Sequence, residues 1–216
     1  LNGNNKDEAA ALLKGGIAGH PDNLALHLAL ADVYNRQQKT AEASEQLKEI
    51  IRLDPDNLAH RVRLANYDAG LGNVAEAEQV LRQAVADLAE SGPAKLALVK
   101  FMEERHEQKD AERELLAFIE RSPKDEALRF GLAGLYQEAG ELDKAEAVYR
   151  EIIERDDVSP KGLEARIRLA RVLIRKDKVQ DAQTVLHEVL KENASDNDAL
   201  ILLGSIALAK KDAGNA

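Results

Sequence analysis

Apolar residues in this chain come in paired short blocks with helical spacing. In residues 24–57 the first block carries Leu26, Leu30 and Val33, and the second carries Ala43, Leu47, Ile50 and Ile51. Intervals of three and four place each set on one face of a helix. The pattern predicts two amphipathic helices of about 14 residues, each about 20 Å long. Breakers fall between the blocks. Gly72 and Gly140 sit between paired helices, where glycine reaches positive φ at little cost; Pro21, Pro55 and Pro123 sit between pairs, where a missing N–H costs little. Ser91-Gly92-Pro93 and Ser159-Pro160 read as a capping serine with proline in the first helical turn. An all-α chain of helical hairpins follows.

The hairpins repeat. Leu30, Ala31, Tyr34, Ala43, Leu47 and Pro55 recur as Leu64, Ala65, Asp68, Ala77 and Leu81, then as Leu98, Val99, Met102, Ala111, Leu115 and Pro123, each step being 34 residues. A fourth copy has Leu132, Ala133, Tyr136, Ala145 and Tyr149. The fifth follows a three-residue insertion at Pro160 to Gly162 and has Leu169, Ala170, Leu173, Ala182 and Leu186. Full repeats are assigned to 24–57, 58–91, 92–125, 126–159 and 163–196, within a single solenoid over 1–216. Residues 1–23 read as the second half of a preceding unit, and 197–216 as the first helix of a following one. Small residues at Ala31, Ala65, Ala133, Ala170 and Gly204 are expected to let helix axes approach. One hairpin cannot bury its apolar face alone, so stability is expected from nearest-neighbour stacking.

This pattern resembles the tetratricopeptide repeat, whose motif sets Trp, Leu-Gly, Tyr, Ala, Phe and Pro at fixed offsets over two helices. The resemblance covers essentially the whole chain and implies a right-handed α–α solenoid. Its tryptophan slot holds His27, Arg61, Lys95, Arg129, Arg166 and Leu200, and its hairpin glycine is replaced by Gln38, His106 and Asp177. The repeat at 92–125 departs furthest, with Val99, Met102 and Phe118. A more general likeness is to bacterial tetratricopeptide lipoproteins of exopolysaccharide export, which would favour a bacterial periplasm or envelope over the cytoplasm.

Composition narrows the function classes. Aromatic residues are 3% of the chain, so packing falls to Ala and Leu. The net charge is −9 with Lys and Arg spread among acids, leaving no basic stripe for a phosphate backbone; no nucleic-acid partner is expected. Cysteine is absent, which removes disulfides and thiolate chemistry. No apolar run approaches the length of a spanning helix, and no membrane insertion is expected within these residues.

No constellation of chemical groups emerges. His20, His27, His60, His106 and His187 fall at different repeat offsets and lack the spacing of a helical zinc site. Asp54-Pro55-Asp56-Asn57 and Asp196-Asn197-Asp198 lack the glycine and terminal glutamate of a calcium loop and read as helix caps. Gly131 and Gly134 lack a preceding strand and read as packing positions. Adjacent carboxylates at Glu103-Glu104 and Asp156-Asp157 point apart on a helix. No catalytic residue, metal or cofactor is assigned.

The resemblance does imply a binding surface. In the family the first helices line a concave groove, faced by Leu28, Val62, Leu96, Phe130, Ile167 and Ile201. All six are apolar, which suggests a track for a protein or peptide ligand, the alternative being that they pack between neighbouring helices. Arg168, Arg171 and Arg175 share one helix face and form a candidate site for an acidic ligand, against a solvated face paired with residues such as Glu164. Asn66 and Arg63 offer further polar contacts. The family's carboxylate clamp of Lys and Asn is not met, since Leu28 pairs with Asp32, Val62 with Asn66 and Leu96 with Lys100. The expected function is a non-catalytic interaction scaffold. The alternative is a spacer or oligomerisation arm of a larger envelope, secretion or exopolysaccharide assembly protein, with self-association through open solenoid ends.

Overall fold

The computed structural model of the chain describes residues 3–105 and 108–213. Twelve α-helices and no strands are found among them. They divide into two compact units, Leu1–Arg105 and His106–Ala216. The first holds α1 (Gly3–Gly19), α2 (Leu24–Arg36), α3 (Thr40–Leu53), α4 (Leu58–Gly70), α5 (Val74–Asp87) and α6 (Gly92–Arg105). The second holds α7 (Gln108–Arg121), α8 (Glu126–Glu138), α9 (Leu142–Asp156), α10 (Pro160–Arg175), α11 (Val179–Glu192) and α12 (Asn197–Ala213). Within each unit a helix packs mainly on its predecessor and successor. In each unit taken by itself, first helices (α2, α4, α6 in one; α8, α10, α12 in the other) make one layer and second helices (α1, α3, α5; α7, α9, α11) the other.

Side-chain caps start the first helices. Asn23, Asn57, Asp125 and Ser159 each accept a backbone N–H from the turn they open. Ser91 and Asp196 do the same for Ala94 and Ala199. The second helices α3, α5, α9 and α11 have no side-chain cap. They start instead from tight hairpin turns that recur with one geometry. Lys39, Asn73, Glu141 and Lys178 donate N–H groups to Tyr34, Asp68, Tyr136 and Leu173 at 2.8–2.9 Å, closing Schellman motifs. The left-handed residue in these turns is Gln38 (φ 61°), Gly72 (φ 89°), Gly140 (φ 76°) or Asp177 (φ 60°). The equivalent His106 lies outside the described residues.

The core lies between the layers. In the first unit Ala31, Leu47, Ile50 and Leu64 form one buried cluster, with Leu28 packed against its edge. In the second, Leu128, Tyr149, Ile152, Leu169 and Leu186 are fully buried. Burying one such Leu removes about 1.5–3 kcal/mol of apolar exposure. The small residues Ala65, Ala77, Ala133, Ala145, Ala170 and Ala182 are fully buried where helices meet. Glycine is different. A Cβ at Gly134 or Gly204 would meet nothing within 4 Å, so neither is required for close packing, contrary to expectation. The insertion Pro160–Gly162 becomes the first turn of α10. There a Cβ on Gly162 would lie 2.0 Å from the backbone oxygen of Asp157, so only glycine fits beneath the end of α9.

Candidate functional site

The first-helix face of the second unit carries an open cavity of about 760 Å³. Gln137 of α8, Leu163, Ile167, Arg168 and Arg171 of α10, and Asp198 of α12 line it, with Asn193 and Asp196 from the α11–α12 loop. The helical period delivers the α10 residues: 164, 167, 168 and 171 share a face. Ile167 is 8% exposed and forms floor, while the arginines stand above it.

The arginines are engaged. Arg168 donates to Glu164 at 2.6 Å and lies 5.0 Å over the Phe130 ring of α8. Arg171 reaches Asp198 of α12 at 3.3 Å, and Arg175 donates to the Gln137 carbonyl of α8 at 3.2 Å. The Phe130 ring in turn tilts against Tyr149 with centroids 6.2 Å apart. Burial raises the Tyr149 phenol pKa, and its hydroxyl donates to Gln137 Oε1 at 2.5 Å. Arg168, Phe130 and Arg175 are therefore linked through Tyr149 and Gln137, and Ile167, Arg168 and Arg171 line one cavity.

The other sequence-selected residues do not line that cavity. Ile201 of α12 is 64% exposed. Leu28, Val62 and Leu96 belong to the first unit, on α2, α4 and α6, and are half-buried; Asn66 and Arg63 are exposed on α4. Cavity walls from Asn193, Asp196 and Asp198 were not selected from sequence. They come from a loop and the next helix, and the sequence signal at Asp196 and Asp198, a cap motif, pointed to local structure.

Sequence reading also missed the role of the tryptophan slot. His27, Arg61, Lys95 and Arg129 are all buried there. The polar ends of His27, Arg61 and Arg129, and of Arg166 in the fifth repeat, tie the loop before the repeat to the second helix. His27 bonds the Pro21 carbonyl and Gln46, both at 2.9 Å. Arg61 donates to the Pro55 carbonyl at 3.1 Å and pairs with Asp87 at 2.8 Å. Arg129 donates to the Pro123 carbonyl at 2.8 Å and pairs with Glu126 and Glu151. Arg166 bonds the Asp157 carbonyl at 2.6 Å and Glu188 at 3.2 Å. These are structural staples, each joining the loop that precedes a repeat to that repeat's second helix. His60 bonds Asp54 at 3.1 Å, so His27 and His60 each have separate partners.

The period, the paired helices and the recurring turn agree with the family models. Tetratricopeptide repeat models match residues 4–66 and 117–161, and a second such model matches 167–216. The chain belongs to the tetratricopeptide repeat family. No curated protein sequence matches it. Among solved structures it is similar to a tetratricopeptide repeat protein from Parabacteroides merdae, at 18% identity over 94% of this chain and 78% of that one, with TM-score 0.52. It is also similar to TTC0263, a thermophilic protein of this family from Thermus thermophilus, at 18% identity over 86% of this chain and 100% of that one, with TM-score 0.54. Yeast Tom70 shares 16% identity over 94% of this chain and 43% of its own length, with TM-score 0.56. At these identities the likeness establishes the fold, an all-α solenoid of tetratricopeptide hairpins. Such repeats are protein-interaction scaffolds, and no described helix is long and apolar enough to cross a membrane.

Proposed function

We propose that residues 1–216 form a non-catalytic scaffold that binds an extended segment of a partner protein on its first-helix face, with the cavity at α8, α10 and α12 as the principal recognition site. One observation carries this reading: the cavity of about 760 Å³ gathers Ile167, Arg168 and Arg171, with Phe130 behind Arg168. The floor is apolar and the walls polar, a mixture suited to an extended peptide with an acidic side chain. Arg171 is the residue that exchanges partners. Its pair with Asp198 has side chains 50% and 60% exposed, so the bond is worth less than about 1 kcal/mol and yields to a ligand carboxylate. In the first unit Leu28, Val62 and Leu96 are the candidate apolar contacts on the first helices.

The test is a displayed peptide library selected on the full chain, with binders mapped by amide chemical shifts. Selected peptides should carry Asp or Glu and perturb residues 163–171 and 196–198. Arg171→Glu should weaken them at least tenfold, more at low salt than at high salt, with helicity unchanged. Binders that map elsewhere, or tolerate Arg171→Glu, would overturn the assignment. A second reading, self-association, rests on Ile201 and Leu208 of α12, which are large apolar residues facing solvent. Sedimentation velocity across a hundredfold concentration range separates it, since Ile201→Glu with Leu208→Glu abolishes any dimer formed this way.

A further inference from the structure

A second groove lies in the first unit, between the second helices α3 and α5. Its volume is about 590 Å³, and Ser44 and Lys48 of α3, Asp68 of α4, and Glu76 and Val80 of α5 are among its walls. Asp68 is 7% exposed. The repeat register explains why there is room. Asp68 occupies the slot of Tyr34 in the previous repeat, and of Met102 and Tyr136 in the two that follow.

The fourth repeat shows the slot filled. There Tyr136 donates to Glu112 of α7 at 2.7 Å, and the Lys144 ammonium of α9 sits 4.8 Å over its ring. In the first repeat Lys14 of α1 likewise sits 5.5 Å over Tyr34. Subtracting two periods converts Tyr136, Glu112 and Lys144 into Asp68, Ser44 and Glu76. Relative to the fourth repeat the second has thus exchanged an aromatic ring, a cation and one carboxylate for a serine and two carboxylates, while the first repeat's Lys14 is matched one period on by Lys48 in the groove wall. Burial raises the Asp68 pKa and the Glu76 charge adds to this, while the Lys48 charge and a hydrogen bond from Ser44 oppose the shift. Lys48 bonds Glu45 at 2.7 Å, and neither Asp68 nor Glu76 has an ion pair within bonding distance among the described residues.

We propose that this groove receives an arginine side chain from a partner protein, its guanidinium lying between Asp68 and Glu76 and its aliphatic stem against Leu71 and Val80. The charge complements the walls, the planar fork suits two carboxylates, and the missing phenol leaves the volume. In the fourth repeat the molecule itself places a cation, Lys144, at the register of Glu76.

The probe is the blocked peptide acetyl-Gly-Gly-Arg-Gly-Gly-amide, titrated into the full chain and followed by amide chemical shifts. Saturable shifts are expected at Ser44, Asp68 and Glu76, with at least tenfold weaker binding of the peptide carrying citrulline instead of arginine. Asp68→Asn and Glu76→Lys should each weaken binding at least tenfold. Asp68→Tyr, which restores the residue of the first and fourth repeats, should abolish it while raising the melting temperature. No saturable shift in the wild type, equal binding of citrulline, or full binding by Asp68→Tyr or Glu76→Lys would overturn the proposal. Arg171→Glu lies in the other unit and should leave this binding unchanged, so the two sites fail separately.

Discussion

Single residues in this chain carry roles that the family motif does not advertise. Arg129 replaces a bulky aromatic with a buried cation that holds a loop carbonyl and two glutamates. Its deletion leaves Glu126, itself 7% exposed, without its buried partner. Arg129→Ala should therefore cost about 3–5 kcal/mol, read as a lower urea midpoint with unchanged slope. Gln38 presents the opposite case. It holds φ 61° in a turn where two sister repeats use glycine. Left-handed backbone costs a side-chain-bearing residue roughly 1–2 kcal/mol, and glycine's extra unfolded freedom returns about 0.4–1 of that. Gln38→Gly should stabilise by about 0.5 kcal/mol in thermal melts, whereas Asp177→Gly should be nearly neutral because Asp tolerates this region better.

At the scale of elements, the turn between α10 and α11 is tied to α9 by charge. Lys176 bonds Asp143 and Glu146, and Arg150 and Lys178 also reach Glu146. The hydrogen bond from Lys176, then that from Arg150, draws the Glu146 carboxyl down to about 2 from its ordinary 4.5. A depressed carboxylate stabilises the fold fully above its unfolded pKa and loses that contribution as pH falls toward 2. The stability difference between wild type and Glu146→Gln should accordingly be constant above about pH 5 and shrink to nothing near pH 2. Solvent screening limits its size to the order of 1 kcal/mol. Chemical denaturation at a series of pH values measures it, and a difference that grows on acidification would contradict the pairing.

At the scale of the whole molecule, helices stabilise one another mainly through their sequence neighbours. Gly162→Ala tests this. Its Cβ would meet backbone oxygens of Asp156 and Asp157 at 2.6 and 2.0 Å, which no rotamer relieves, so a loss of at least about 2 kcal/mol is expected. In a stack with nearest-neighbour energetics the damage stays local. Hydrogen exchange should quicken in α9, α10 and α11 while α2–α4 keep their protection; uniform loss would mean a single cooperative core instead.

Period and breakers in the sequence determined the repeat, the paired helices, the turn positions and the family, because packing a hairpin requires apolar residues at helical intervals and stops at set distances. The same pattern placed Ile167, Arg168 and Arg171 on one face, since a shared face depends only on helical spacing. What neighbours do to a side chain was left to tertiary structure. It buried His27, Arg61 and Arg129 as staples, gave Arg171 a partner on α12, closed Ile167 while leaving Ile201 open, and turned Asp68 into the floor of a groove. Each outcome depends on groups contributed by another helix or loop, and one-dimensional spacing does not encode which of them comes within bonding distance.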